Sequence, residues 1–169
     1  MQVYDFGVST MPSGERAAWM ALEWLSGITL EDELFPRRGQ GGRTPAECMT
    51  LMRPILAALA VVHAAGVAHR DLKPANIMRV ASPEGRGTTP KLLDFGIAKV
   101  MGEDEVATTS QTATRSRNIA FSPWYASPEQ VSHARSGPWT DVHALGLILT
   151  EMLTDCAPFT GATSTALFQ

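Results

Sequence analysis

The chain has 169 residues, 44% of them apolar and 18% charged, and 14 basic against 17 acidic side chains leave a formal net charge of −3. That length and apolar content suffice for one sizeable core and exclude a compositionally disordered chain, while the absence of any basic stripe excludes an electrostatic nucleic-acid binder. Two isolated cysteines, Cys48 and Cys156, exclude a disulfide framework and a thiolate metal site and read as small buried hydrophobes in a reducing cytoplasm. No leader with a basic then an apolar region opens the chain, and no run approaches the ~18 apolar residues of a membrane span.

In chain order, Val3 and Tyr4 before Gly7, then Trp19 to Leu25 after a turn marked by Pro12, Ser13 and Gly14, predict a strand hairpin. The stretch GQGGRT, residues 39 to 44, has the glycines of a phosphate loop but precedes a helix cap, so it reads as a linker. Thr44, Pro45 and Glu47 form a capping-box signature, and the helix they start runs to Gly66 with Met52, Ile55, Leu56, Leu59 and Val62 on one face. Pro54 removes one hydrogen bond from that helix and predicts a kink. Ile77 to Val80 and Lys91 to Leu93 read as strands joined by the exposed loop ASPEGRGTTP. Met101 to Asn118 is polar and aperiodic, a loop. A last helix begins at Thr140 and Asp141 and carries Val142, Leu145, Ile148, Leu149 and Met152 on one side, apolar enough all round to be central. His63, His133 and His143 have no partners at metal-ligand spacing and read as packing or surface residues, and Trp24 and Trp139 as hinge or core packing.

The chemistry concentrates in HRDLKPANIM, residues 69 to 78. A carboxylate that accepts a proton (Asp71), an ammonium that follows a migrating anion (Lys73) and an amide that holds a divalent cation (Asn76) are the parts needed for phosphoryl transfer to a hydroxyl. Downstream, DFGIAK adds Asp94, a second hard-oxygen ligand suited to magnesium, and Gly96, a permissive hinge.

In these motifs the sequence resembles the eukaryotic-like, Hanks-type serine/threonine protein kinases of bacteria. His69-Arg70-Asp71 with Asn76 resembles the catalytic loop, Asp94-Phe95-Gly96 the metal-binding triplet, and Ser127-Pro128-Glu129 the motif that closes the activation segment. The resemblance implies an α+β, two-lobed kinase fold in truncated form, with residues 1–25 a remnant of the small lobe and hinge and 26–169 the large lobe through its central helix. It implies Asp71, Lys73 and Asn76 as catalytic residues and Asn76 and Asp94 as magnesium ligands. For ATP it implies Leu22 as gatekeeper, the Glu23 carbonyl and Leu25 amide as adenine contacts, and Met78 as the adenine floor. Asp141 resembles the buried aspartate that braces the catalytic loop, and Val3, His69 and Phe95 resemble members of a stacked spine. Lys73 resembles the serine/threonine rather than the tyrosine class, so the implied partner is a protein with a Ser or Thr acceptor.

Arg70 beside the base is suited to a phosphate on the activation loop, with Thr108, Thr109, Ser110, Thr112, Thr114 and Ser116 as candidate acceptors. Ser122 stands where the family has threonine and Phe121 where it has glycine. The family's glycine-rich loop, strand lysine and helix glutamate precede the segment that Val3 resembles, and none is found here. The resemblance therefore covers the middle of a kinase domain, and the chain by itself is expected to lack activity. The alternative is a non-catalytic remnant that binds a partner protein.

Overall fold

Alternating strand-forming residues either side of a Pro-Ser-Gly turn make a hairpin: β1 (Val3–Thr10) pairs antiparallel with β2 (Arg16–Leu22). The Gly14 amide donates to the Met11 carbonyl at 2.8 Å, and Gly14 takes φ 85, a conformation that needs no compensation when there is no Cβ. The computed structural model describes residues 2–82, 85, 87–94, 123–132 and 134–159. β2 ends at Leu22, and residues 23–26 cross without regular structure to β3 (Gly27–Thr29). A second, antiparallel sheet has the order β3-β4-β5, with β4 at Ile77–Ala81 and β5 at Thr88–Leu92. The expected loop through Pro90 is thus shorter, because Thr88, Thr89 and Pro90 extend the ladder opposite Ala81, Val80 and Arg79. Proline is tolerated there because β5 is an edge strand.

Helix α1 (Leu30–Leu34) starts where the Thr29 hydroxyl accepts from the Asp32 amide, and its i, i+4 pair Leu30 and Leu34 is buried. One 3₁₀ turn (Phe35–Arg37) follows. α2 (Pro45–Ala64) has the full capping box between Thr44 and Glu47 and buries Cys48, Met52, Ile55 and Leu59. That face is rotated slightly from the expected one, since Leu56 is exposed and Val62 only borders the core. Pro54 lies on the outer face, where water can satisfy the carbonyl it leaves unpaired. By length and a mean hydropathy of 1.4, α2 is apolar enough to cross a membrane, which corrects the expectation that no run approaches a span. Its buried stripe belongs to the protein core.

α3 (Pro128–Val131) precedes α4 (Pro138–Thr154), which begins two residues earlier than expected because Pro138 takes the first helical position. α4 buries Asp141, Ala144, Leu145, Ile148, Glu151 and Met152, spaced to share one face. Val142 falls about 100° off that face and is 61% exposed, contrary to expectation. α1, α2, α4, Leu72, Ile77 and Leu92 enclose one core. Cys48 lies within it, and burial pushes its thiol pKa up, which keeps it inert. Cys156 is exposed rather than buried. Trp24 is 90% exposed and Trp139 about half exposed, so neither is the core packing expected of it.

The glycine-rich segment is a linker, and the end of α4 holds it. The Gly39 amide donates to the Asp155 carbonyl at 3.2 Å and the Arg43 amide to the Met152 carbonyl at 2.9 Å. Arg37 and Arg43 flank the buried Asp155 at 3.5 and 3.7 Å. A Cβ on Gly42 would stand 1.6 Å from the Leu153 carbonyl oxygen, whereas one on Gly146, mid-helix in α4, would meet nothing within 4 Å. Gly42→Ala is therefore expected to destabilise by roughly 1–3 kcal/mol through overpacking. Gly146→Ala is expected to stabilise by about 0.5–1 kcal/mol through helix propensity. Urea unfolding of both variants checks the opposite signs.

Candidate active site

The loop between α2 and β4 turns on Arg70, whose φ of 64 is left-handed. A non-glycine residue pays strain there, and it persists only where its surroundings hold it. The holder is Asp141, fully buried in the first turn of α4. Its Oδ2 accepts from the His69 amide at 2.8 Å and its Oδ1 from the Arg70 amide at 2.8 Å. His63 at the end of α2 adds Nε2–H to Oδ2 at 2.7 Å. From the other side Gln130 donates Nε2–H to the Arg70 carbonyl at 2.6 Å. Both peptide groups of the strained residue are thus fixed by side chains from α3 and α4.

His69 is fully buried and bridges this turn to β5. Its Nε2 lies 2.8 Å from the Leu93 carbonyl, which can only accept, so the proton sits on Nε2 and leaves Nδ1 to accept from the Asp71 amide at 3.4 Å. Burial is the largest influence on its pKa and lowers it, against smaller raising contributions from the Leu93 carbonyl and Asp141. The neutral ring that both hydrogen bonds require is the form that burial favours.

On this support Asp71, Lys73 and Asn76 converge. Asp71 Oδ2 lies 3.1 Å from Lys73 Nζ and accepts from Asn76 Nδ2 at 3.2 Å. Asn76 Nδ2, at the end of the 3₁₀ turn Pro74–Asn76, also donates to the Asp71 carbonyl at 2.8 Å, closing the loop on itself. Because Nδ2 is committed to Asp71, the free end of the amide is Oδ1, an oxygen of the kind magnesium takes. The Leu93 amide donates to the Asn76 carbonyl at 2.9 Å, which puts the exposed Asp94 next along the chain from Asn76's backbone. Asp94 also has a left-handed φ, 44. No group of three His, Cys, Asp or Glu able to hold a metal occurs among the described residues.

The candidate nucleotide residues are linked to this loop through one ion pair. Glu23 Oε1 lies 2.6 Å from Lys91 Nζ on β5, and Lys91 stands opposite Met78 on β4, two residues beyond Asn76. The Lys91 hydrogen bond holds the Glu23 carboxyl below its ordinary pKa range. Leu22 ends β2, while Leu25, like Glu23, is half-buried in the crossing segment. Val3 is 44% exposed. Phe95, Gly96, Phe121, Ser122, His133 and the candidate phosphoacceptors between Thr108 and Ser116 lie outside the described residues.

Sequence reading missed His63 and Gln130. His63 carries no local sign of its Asp141 partner, 78 residues away. Gln130 was legible in part, as the fourth residue of Ser127-Pro128-Glu129-Gln130, a Ser-x-x-Gln capping box. Its second bond, to Arg70, was not. Glu129 accepts from the Thr140 hydroxyl at 2.8 Å.

Two outcomes are expected of this clamp. Asp141→Asn is nearly isosteric but turns a donor toward buried amides, and is expected to cost on the order of 3 kcal/mol in chemical unfolding. For His69 the unfolded ring binds a proton near pH ~6.5 while the folded ring resists it to lower pH, so the stability it contributes is complete above that value. It is lost as pH falls from there through the lower folded pKa. Stability measured between pH 7.5 and 5 is expected to decline, and His69→Gln to make that decline shallower.

The model of the protein kinase domain family matches residues 2–169. The probable serine/threonine-protein kinase PknB of Bifidobacterium longum is 32% identical over 171 residues, 99% of this chain and 23% of that protein. The serine/threonine-protein kinase PknL of Mycobacterium tuberculosis is 35% identical over 159 residues, 94% of this chain and 35% of that protein. The chain thus spans about a quarter to a third of these relatives. Among solved structures, the Mycobacterium tuberculosis PknI kinase domain superposes with a TM-score of 0.62 at 22% identity, covering 98% of this chain and 56% of that one. The α+β architecture is that of part of a kinase domain, with His69, Arg70 and Asp71 on the strained turn above Asp141, and the chain belongs to the protein kinase domain family.

Proposed function

We propose that the protein carrying this chain transfers the γ-phosphoryl group of ATP to Ser or Thr hydroxyls of proteins. The observation that supports it most is the convergence of Asp71, Lys73 and Asn76 within 3.2 Å on a turn locked by Asp141. In this reading residues 1–25 are the end of the small lobe and the hinge, and 26–169 the large lobe through α4. Leu22 is the gatekeeper, the Glu23 carbonyl and Leu25 amide meet the edge of adenine, and Met78 meets its face. A cytoplasmic setting suits two free thiols.

Oδ2 of Asp71 is engaged by Lys73 and Asn76, so Oδ1 is left to accept the hydrogen bond of the acceptor hydroxyl. The bond from that oxygen to the γ-phosphorus forms as the bond to the leaving oxygen of ADP breaks, and the hydroxyl proton passes to Asp71. In a loose transition state Asp71 serves mainly to orient the hydroxyl and takes its proton late. Lys73 is placed to follow the charge that moves with the phosphoryl group. Asn76 Oδ1 and Asp94 supply two hard oxygens, and a magnesium ion held there would neutralise phosphate charge. The two residues fit that role because Asp71 occupies the amide's nitrogen end.

The test is transfer of labelled phosphate from ATP to a generic protein substrate by the full protein, with phosphoamino-acid analysis. Asp71→Asn is expected to lower turnover by at least ~10²-fold, the scale of a lost acid-base group. Unchanged turnover would remove Asp71 from the mechanism, and ATP binding with no transfer by either protein would favour the binding-module alternative.

A further inference from the structure

We propose that Thr88 is a phosphorylation site whose phosphate is received by the guanidinium of Arg79. The phosphoryl group comes from ATP by the action of a second copy of this protein, a step that rests on the kinase reading above. Thr88 opens the edge strand β5, and its side chain is exposed. Arg79 on β4 aims one edge of its guanidinium at it: Nε donates to Thr88 Oγ1 at 3.0 Å, and Nη2 donates to the same oxygen at 2.8 Å. A neutral hydroxyl is a modest partner for this charged fork, whose two parallel N–H groups match two oxygens of a phosphate.

The surroundings offer room and charge for that group. Thr88, Arg79, Arg37 and Arg43 share the wall of an open cavity of about 500 Å³ between α1, the start of α2 and the edge of the second sheet. The acids in the wall are already engaged. Glu33 Oε1 accepts from Arg79 Nη1 at 2.7 Å and from Arg43 Nη2 at 3.2 Å, and Glu47 closes the capping box of α2. Because Nη1 serves Glu33 while Nε and Nη2 serve Thr88, a phosphate takes over the fork without breaking the Glu33 ion pair. A third acid, Asp155, is buried behind Arg37 and Arg43 at 3.5 and 3.7 Å, so added charge meets the arginines first.

Position selects Thr88 over its neighbour. Arg79 stands opposite Pro90, and Thr88, two residues before Pro90, shares that face of the sheet, whereas Thr89 alternates to the other face and is half-buried. Thr88 is also out of reach of its own chain's base. Leu93, which bonds Asn76 beside Asp71, lies past the other end of β5, on the order of 16 Å from Thr88 at ~3.3 Å per residue. Transfer therefore runs between two copies, and the fraying end of an edge strand lets the hydroxyl enter the other copy's site. Thr88 Oγ1 bonds to the γ-phosphorus as the bond to the leaving oxygen of ADP breaks, and the hydroxyl proton passes to Asp71 of the second copy. The product places about −1.5 to −2 charges against Arg79 and ties β5 to β4 by charge-assisted hydrogen bonds.

The experiment has two arms. In the first, Thr88 of the full protein is replaced by phosphothreonine during synthesis, and its phosphorus NMR signal is titrated in the folded protein and in urea. The folded form is expected to titrate at least about half a pH unit below the ~6 of the unfolded one, because a held cation favours the dianion. Arg79→Gln should abolish that difference, and Glu33→Gln, which leaves the fork in place, should keep it. Equal titration of folded and unfolded protein, a comparison that needs no variant, overturns the proposal, as does a difference that survives Arg79→Gln. In the second arm the full protein is incubated with ATP and magnesium, and modified positions are read by mass spectrometry. Phosphate is expected at Thr88 and not at Thr89, and also at Thr88 of an Asp71→Asn copy mixed with active protein. Labelling of a generic protein substrate with none at Thr88 overturns the proposal and leaves the transferase reading in place. Transfer to no acceptor at all removes the kinase reading and, with it, the stated source of the phosphate.

Discussion

A single buried carboxylate organises the candidate site. Asp141 has no access to water and meets three donors from two other parts of the chain: the amides of His69 and Arg70, and the ring of His63. Burying an ionised group without partners is prohibitive, and with three good ones the cost is offset by bonds that act on the backbone itself. The product is a left-handed turn at Arg70 that an arginine would not hold alone. Asp71 follows immediately, so its direction is set by a residue 70 positions away that touches no substrate. This is rigid support for a chemical group, supplied by a helix start where an acid is already favoured by the dipole.

The remaining contacts extend that fixation outward. His69 ties the turn to the Leu93 carbonyl, the Leu93 amide ties β5 back to Asn76, and Gln130 ties the Arg70 carbonyl to α3. Every element that carries a candidate chemical group is thus hydrogen-bonded to another that does. Beneath them, apolar side chains from α1, α2 and α4 make the shared core, so the polar loop rests on a packed base. At the far end of α4 a second set of buried acids, Glu151 and Asp155, is met by Arg37 and Arg38 at the end of the 3₁₀ turn and by Arg43 of the glycine-rich linker. Through Glu151 and Tyr125, Arg38 also shapes an aromatic groove beside α1.

Similarity of 21–22% to the PknI structures carries the fold alone. Function in such folds is set by the residues grafted around a common loop. The same reasoning applies to the hairpin β1–β2, whose outer side chains Tyr4, Phe6 and Val8 are exposed while Glu23 and Lys91 join it to the second sheet.

By itself the sequence determined whatever depends on near neighbours. The capping box at Thr44 and Glu47, the hairpin turn at Gly14, the helical stripe of Met52, Ile55 and Leu59, and the cluster Asp71, Lys73 and Asn76 are all settled within a few residues, where spacing and propensity govern geometry. Tertiary structure decided what depends on distant partners. It turned Val142 and Cys156 outward, left Trp24 in water, and gave His63 and Gln130 their bonds to Asp141 and Arg70. It also made GQGGRT a strap under α4 by pressing Gly42 against Leu153. The physical reason is that periodicity shows that a face is apolar, but only packing against the other elements decides which of two adjacent faces is buried and which polar group meets which.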